Sequence, residues 1–311
     1  MNSRFPDNFD LDDYLRGQSA VVDRALELNF KKYPAASQTI FRAMRYGVFP
    51  GGKRIRPILT LAAGELFGAS QDRLLPFACA VELIHAYSLI HDDLPALDDD
   101  DLRRGEPAAH KMFGEGMALL AGDGLLTEAF HLLSDRETTR GVDPELVLEL
   151  IHELAQAAGV MGLVGGQALD LEAEEKPADL AAVEVIHVRK TGALILAASR
   201  IGARLGAAGD EQLIRITRYG QYLGLAFQIA DDIVDARAQA GAPQVGSGRK
   251  EQKKATYPQV VGIVQARERL EELLRLSLHE LDPFGTGARP LAAIARHVAA
   301  RALHTQVKIF S

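Results

Sequence analysis

Apolar residues recur at spacings of three and four along almost the whole 311-residue chain, as in ILTLAAGELFGA, ELIHAYSLIH, TGALILAASRIGARLG and YGQYLGLAFQIADDIVD. That is the period of one face of an α-helix, and the alternation of a half-buried strand is rare. Ala and Leu are plentiful, Trp is absent and Val/Ile runs are short, so residue preference points the same way as the pattern. The chain is therefore read as all-α. Helices are expected over about 11–32, 36–48, 54–67, 71–93, 107–134, 143–172, 179–206, 209–238, 256–280 and 289–305. Breaks fall at Pro50-Gly51-Gly52, Gly68, Gly141, Lys176-Pro177 and the glycine-rich AQAGAPQVGSGRK at 238–250. That last segment reads either as a mobile flap over a site or as a plain surface loop. No Pro/Ser/Gly-rich linker separates two self-sufficient halves, so a single domain over 1–311 is expected.

Composition narrows the function. With 47% hydrophobic and 25% charged residues the chain is globular rather than disordered. A net charge of -7 argues against nucleic acid as the main partner, because binding a phosphate backbone needs a basic face. The single cysteine, Cys79, cannot form an internal disulfide or a thiolate zinc site, which fits a reducing cytoplasm. The acidic start MNSRFPDNFDLDDY lacks a basic lead and an apolar run, and no apolar stretch of spanning length escapes charged residues. Neither a signal peptide nor a membrane span is expected.

Two acidic clusters carry the chemistry. HDDLPALDDDD at 91–101 sets Asp92, Asp93 and Asp98 at the end of one apolar helix, and DDIVD sets Asp231, Asp232 and Asp235 at the end of another. Residues four apart on a helix lie only ~40° apart, so Asp231 and Asp235 share a face and repel unless solvent or cations neutralise them. Hard oxygen donors suit Mg2+, which takes one or two carboxylates plus substrate phosphates. Two such sets would clamp a diphosphate. One cluster alone reads equally well as a solvated acidic helix end, and the second weakens that reading. Asp98 lies six residues past Asp92 with Pro95 between, so it needs a bulge to point inward. Asp99, Asp100 and Asp101 read as solvated or set behind the ligands.

Basic residues flank the acids. Lys53, Arg54 and Arg56 of GGKRIRP follow Gly52 and open an apolar helix, where free N–H groups favour anions. Arg103 and Arg104 either meet a phosphate or pair with Asp99–Asp101. His85, seven residues before Asp92, lies within ~20° of it two turns deeper, with a satisfied core histidine as the alternative. Lys190, Thr191 and Gln228 sit at the margins of apolar helices, where a cation or phosphate could be met.

GGKRIRP, HAYSLIHDDLPALDDDDLRRG, AGDGLL, GLVGGQALDLE, HVRKTGAL, GLAFQIADDIVD and KATYP together resemble the motifs of the trans-prenyl diphosphate synthases, in their order and approximate spacing. Within that family the resemblance is to the bacterial farnesyl diphosphate synthases, along nearly the whole chain. It implies an orthogonal helical bundle around a deep cavity, a homodimer, and three Mg2+ ions bridging Asp92, Asp98 and Asp231 to an allylic diphosphate. By the same carry-over Arg103, Lys190 and Lys254 bind that diphosphate, and Lys53, Arg56, His85 and Arg104, with Gly52, hold isopentenyl diphosphate. Lys190, Thr191 and Gln228 would stabilise the allylic cation through oxygens, and the released diphosphate would act as base.

Tyr87 and Ser88, five and four residues before Asp92, lie ~6–8 Å down the helix in the direction a growing tail runs. The resemblance makes an aromatic there a floor that limits the product to farnesyl (C15), with a geranylgeranyl (C20) product as the alternative. Helix geometry alone favours Ser88 over Tyr87 for the face of Asp92. Two features depart from the family: RKEQKK at 249–254, with Arg249 near the place where an acidic loop residue is usual and Lys253 beside Lys254, and a long ARALHTQVKIFS ending with no expected phosphate contact. A terpene cyclase would replace DDIVD by an Asn/Ser/Glu motif, and a non-catalytic subunit would have lost one cluster.

Overall fold

The computed structural model describes residues 9–32, 38–49, 51–173, 179–241 and 256–303. Among them the only strands are β1 (Leu102–Arg103) and β2 (Glu106–Pro107), an antiparallel pair. Everything else regular is helical. The described residues gather into two compact units, one containing Asp10–Leu154 with Ile201–Ala208, the other Ala155–Arg200 and the chain from Gly209.

The first unit holds α1 (Leu11–Phe30), α2 (Gln38–Val48), α3 (Ile55–Leu66), α4 (Gln71–Asp92), α5 (Ala109–Phe113), α6 (Glu115–Ser134) and the start of α7 (Pro144–Ala158). Asp10 caps α1, accepting at 2.9 Å from the backbone N–H of Asp13. The middle of α4 is strongly apolar and covered by its neighbours: Leu74, Phe77, Val81, Leu83 and Ile84 are buried. Cys79 is sealed among them, and burial pushes its thiol up to about 12. By length and composition α4 could cross a membrane, yet 72% of its apolar window is buried in the protein. The stretch Pro144–Ala173 passes the same test with 39% buried, but it is interrupted between α7 and α8 (Leu163–Ala173).

The second unit is built on α11 (Asp210–Gly241), with α8, α9 (Leu180–Ile186), a π-helical segment His187–Gly192, most of α10 (Ala193–Leu205), α12 (Tyr257–Val261), α13 (Ile263–Leu281), a 3-10 turn Asp282–Ala288 and α14 (Arg289–Leu303). Tyr219 of α11 is fully buried and donates its hydroxyl to the Leu291 carbonyl of α14 at 2.9 Å.

Several helices expected as single runs are split. Gly114 (φ 83°, ψ 154°) divides α5 from α6, and Gly262 (φ 83°, ψ 155°) divides α12 from α13. Only glycine adopts that conformation without strain, so the apolar period continues across a kink it does not reveal. The 143–172 run separates at 159–162, and 179–206 changes winding at His187. α11 runs three residues past its expected end. Most of the 238–250 segment, with Lys253, Lys254 and the C-terminal ending, lies outside the described residues.

Candidate active site

In the first unit, α4 delivers the first acidic cluster. Asp92 is its last residue, and Pro95, lacking an N–H, ends the ladder. The chain then folds back. The Leu97 N–H donates to Leu94, and the Asp98 N–H donates to the Asp92 carbonyl at 2.8 Å. Asp99 takes a left-handed φ of 52° with its N–H on Leu94. The bulge expected from Pro95 thus sets the backbones of Asp98 and Asp92 one hydrogen bond apart. Both side chains are half-buried.

Asp93 has another job than the metal ligation expected of it. It is 2% exposed, and Arg103 grips it, with Nε 2.9 Å from one carboxylate oxygen and 3.2 Å from the other. Burial pushes its carboxyl above the usual range while Arg103 pulls it back. Asp93 therefore orients Arg103. Asp101 pairs with Lys111 at 2.6 Å, and Asp100 lies 3.5 Å from Arg103.

β1 and β2 are joined by Arg104 (φ 55°) and Gly105 (φ 84°), the both-positive pattern of a two-residue hairpin turn. The Tyr46 hydroxyl donates to the Pro107 carbonyl at 2.7 Å and holds the hairpin down. The turn sends Arg104 back to donate to the Gly51 carbonyl, its guanidinium lying so close to Gly52 that a Cβ there would be 2.8 Å from Nη1. Arg56 reaches the His85 ring at 3.3 Å. Burial first, then Arg56, Arg104, Arg54 and Arg103, push the His85 pKa well below its usual value. Lys53 is exposed at the edge of this cluster. A cleft nearby is lined by Arg103, Arg104, Asp93, Tyr46, Leu89 and Ile90.

Arg54, grouped with the anion binders from the sequence, is structural. Its side chain is 1% exposed and donates to Asp23 (2.9 Å), Glu82 (2.5 Å) and the Val48 carbonyl (2.7 Å).

In the second unit, Asp231 and Asp235 share one face of α11, as the spacing requires. Asp231 is half-buried with an Arg301 guanidinium nitrogen 2.9 Å away, and Asp235 is exposed. Asp232, also expected to bind metal, is 6% exposed and surrounded. It accepts from the Gln228 amide (3.1 Å) and the Tyr257 N–H (2.8 Å), and the His187 ring stands 3.3 Å off. Because the Gln228 nitrogen donates to Asp232, its oxygen faces the other way and accepts from the Thr191 hydroxyl at 2.8 Å. Asp232 is thus the anchor of a Thr191–Gln228 pair of oxygens.

Lys190 and Thr191 sit in the π-helical segment, whose wider turn alters the direction of its side chains and often marks functional sites. Lys190 pairs with Asp170 of α8 at 2.7 Å. α8 approaches so closely that a Cβ on Gly166 would lie 2.2 Å from the Lys190 backbone nitrogen. Asp170, His187 and Tyr257 escaped the sequence reading. Asp170 carried a readable signal, since a carboxylate one turn after Gln167 in the apolar LVGGQALDL needs a partner.

Among the described residues, no three Asp, Glu, His or Cys side chains gather closely enough to hold a cation alone. The donors offered are carboxylate oxygens in small sets, a supply that fits Mg2+ completed by substrate phosphates. Tyr87 is 4% exposed, with its ring edge-to-face with His91 at 5.7 Å between centroids and 75° between planes. Ser88 is buried and donates to the His85 carbonyl at 2.9 Å, so its hydroxyl is turned back on its own helix.

A family model described as polyprenyl synthetase matches residues 37–281. The chain is 44% identical to a dimethylallyltranstransferase of Fischerella ambigua, over 94% of this chain and 84% of that one. It is 45% identical to the farnesyl diphosphate synthase of Escherichia coli, over 90% and 95% of the two chains. Among solved structures, an FPP/GFPP synthase from Zymomonas mobilis superposes with a TM-score of 0.83 at 38% identity, covering 93% of this chain and 99% of that one.

Proposed function

We propose, because the chain belongs to the polyprenyl synthetase family, that it joins isopentenyl diphosphate head to tail to dimethylallyl or geranyl diphosphate, releasing diphosphate and forming farnesyl diphosphate. It is a prenyltransferase of the all-α isoprenoid synthase fold. The observation that carries the site assignment is that one helix, α4, brings an arginine-ringed His85 and the Asp92–Asp98 turn to the same end.

Arg56, Arg104 and neutral His85, with Lys53 at the edge, present donors to the isopentenyl diphosphate. Arg103, aimed by Asp93, and Lys190, aimed by Asp170, receive the allylic diphosphate, with Lys254 assigned to it by family resemblance. Asp92 and Asp98 of the first unit, and Asp231 and Asp235 of the second, are the carboxylates that would hold Mg2+, and the ion would supply charge neutralisation for a departing diphosphate. The Thr191 and Gln228 oxygens, locked in orientation by Asp232, face the developing allylic cation and lower its energy without attacking it. The apolar body of α4 keeps water from quenching that cation. Isopentenyl's double bond attacks the allylic carbon, and a proton then leaves for the released diphosphate. Tyr87 sets the end of the growing tail. The corresponding assembly is a cytoplasmic homodimer, which light scattering on the purified protein tests.

Incubation with isopentenyl diphosphate, geranyl diphosphate and Mg2+ should give a C15 diphosphate by mass spectrometry, and Asp92→Asn or Asp231→Asn should each lower kcat by at least ~100-fold. A C20 main product would move the chain to the geranylgeranyl class. No condensation with any allylic starter would refute the reading.

A further inference from the structure

Tyr87 cannot hold its own position. Its hydroxyl is buried and has no hydrogen-bond partner among the described residues, so packing fixes the ring, and an aromatic group in contact with it is His91, one turn on. His91 is itself held. Its Nε2–H donates to the Leu119 carbonyl of α6 at 3.0 Å, with Asp123 3.9 Å away. The ring lies on α6 at Gly122, where a Cβ would come within 2.0 Å of Nε2 and 2.3 Å of Cδ2. A glycine on α6, a histidine on α4 and the tyrosine one turn earlier therefore form a mechanical series.

We infer that His91 is a positioning residue for product length, acting as the prop that keeps the Tyr87 ring across the path of the growing chain. The inference rests on the reading of Tyr87 as the floor. His91 itself points to α6. Without its ring, Tyr87 gains a neighbouring void and can turn into it, opening depth for another five-carbon unit.

The test is the product distribution from geranyl and farnesyl diphosphate with excess isopentenyl diphosphate, for Tyr87→Ala, His91→Ala, His91→Phe and Gly122→Ala. Tyr87→Ala and His91→Ala should raise the ratio of C20 to C15 product by roughly tenfold or more, the scale on which small changes of pocket volume discriminate substrates. His91→Phe loses the hydrogen bond to Leu119 but keeps a ring, so it should retain the C15 pattern even if it melts earlier. Gly122→Ala displaces the far end of a flexible side chain rather than backbone, so it should fold, push the His91 ring aside and lengthen the products from a different helix. General loosening of the α4–α6 contact would lower melting temperature and kcat in His91→Phe and His91→Ala alike without separating their chain lengths. Lengthening in Tyr87→Ala with wild-type products from both His91→Ala and Gly122→Ala overturns the inference and leaves the floor intact. Wild-type products from Tyr87→Ala overturn the floor, and the inference with it.

Discussion

Two arginines separated by one residue do opposite work. Arg56 faces His85 in the cationic cluster, whereas Arg54, with a left-handed φ of 47°, turns inward to Asp23, Glu82 and the Val48 carbonyl. Arg54→Ala would leave Glu82 charged and buried without its hydrogen-bonded partner, so it should destabilise the protein by about 3–5 kcal/mol in urea unfolding. A loss below about 1 kcal/mol, the worth of an exposed pair, would show that the triad is dispensable. His85 makes a second prediction at this scale. In the folded protein it stays neutral well below its usual pKa, while in the unfolded chain it protonates near pH 6.5. Unfolding therefore takes up a proton as pH falls below 6.5, and the stability present above that pH is progressively lost, by at most ~1.4 kcal/mol per pH unit. His85→Gln should flatten the stability curve between about pH 6.5 and 5. An unchanged slope would mean that His85 titrates normally.

At the scale of elements, the π-helical segment and α8 are locked backbone to backbone. Gly166→Ala puts a methyl against the Lys190 backbone, which cannot yield as a side-chain tip can. It should cost about 1–3 kcal/mol and, by moving Lys190 and Thr191, lower kcat more than it raises the KM for isopentenyl diphosphate. Full activity in Gly166→Ala would show that the segment tolerates displacement. The helices and both acidic clusters were legible in the sequence because periodicity and charge are local signals. Three things were not. The kinks at Gly114 and Gly262 leave the apolar rhythm untouched, and a π turn has no pattern separate from an α turn over six residues. Asp92 and Asp93 differ by only one position, yet that ~100° rotation decides which meets Arg103 in the interior. The same step separates Asp231 from Asp232, so adjacent identical letters concealed different surroundings.

For the whole molecule, the proposed reaction needs diphosphate and Mg2+ bound together. Inorganic diphosphate with Mg2+ should therefore raise the melting temperature, a ligand at a hundred times its Kd adding about 2.7 kcal/mol. Asp92→Asn and Asp231→Asn should each remove most of that rise when scanned by calorimetry. A full rise in Asp231→Asn would show that Asp231 takes no part in holding the ion. The sealed thiol of α4 gives such experiments a practical opening. Since the chain's single sulfhydryl is shut away and reluctant to ionise, maleimide dyes and spin labels have no native target. A cysteine introduced at an exposed position such as Leu119 or Val160 becomes the one reactive handle, and a probe of each unit can be installed in the wild-type background.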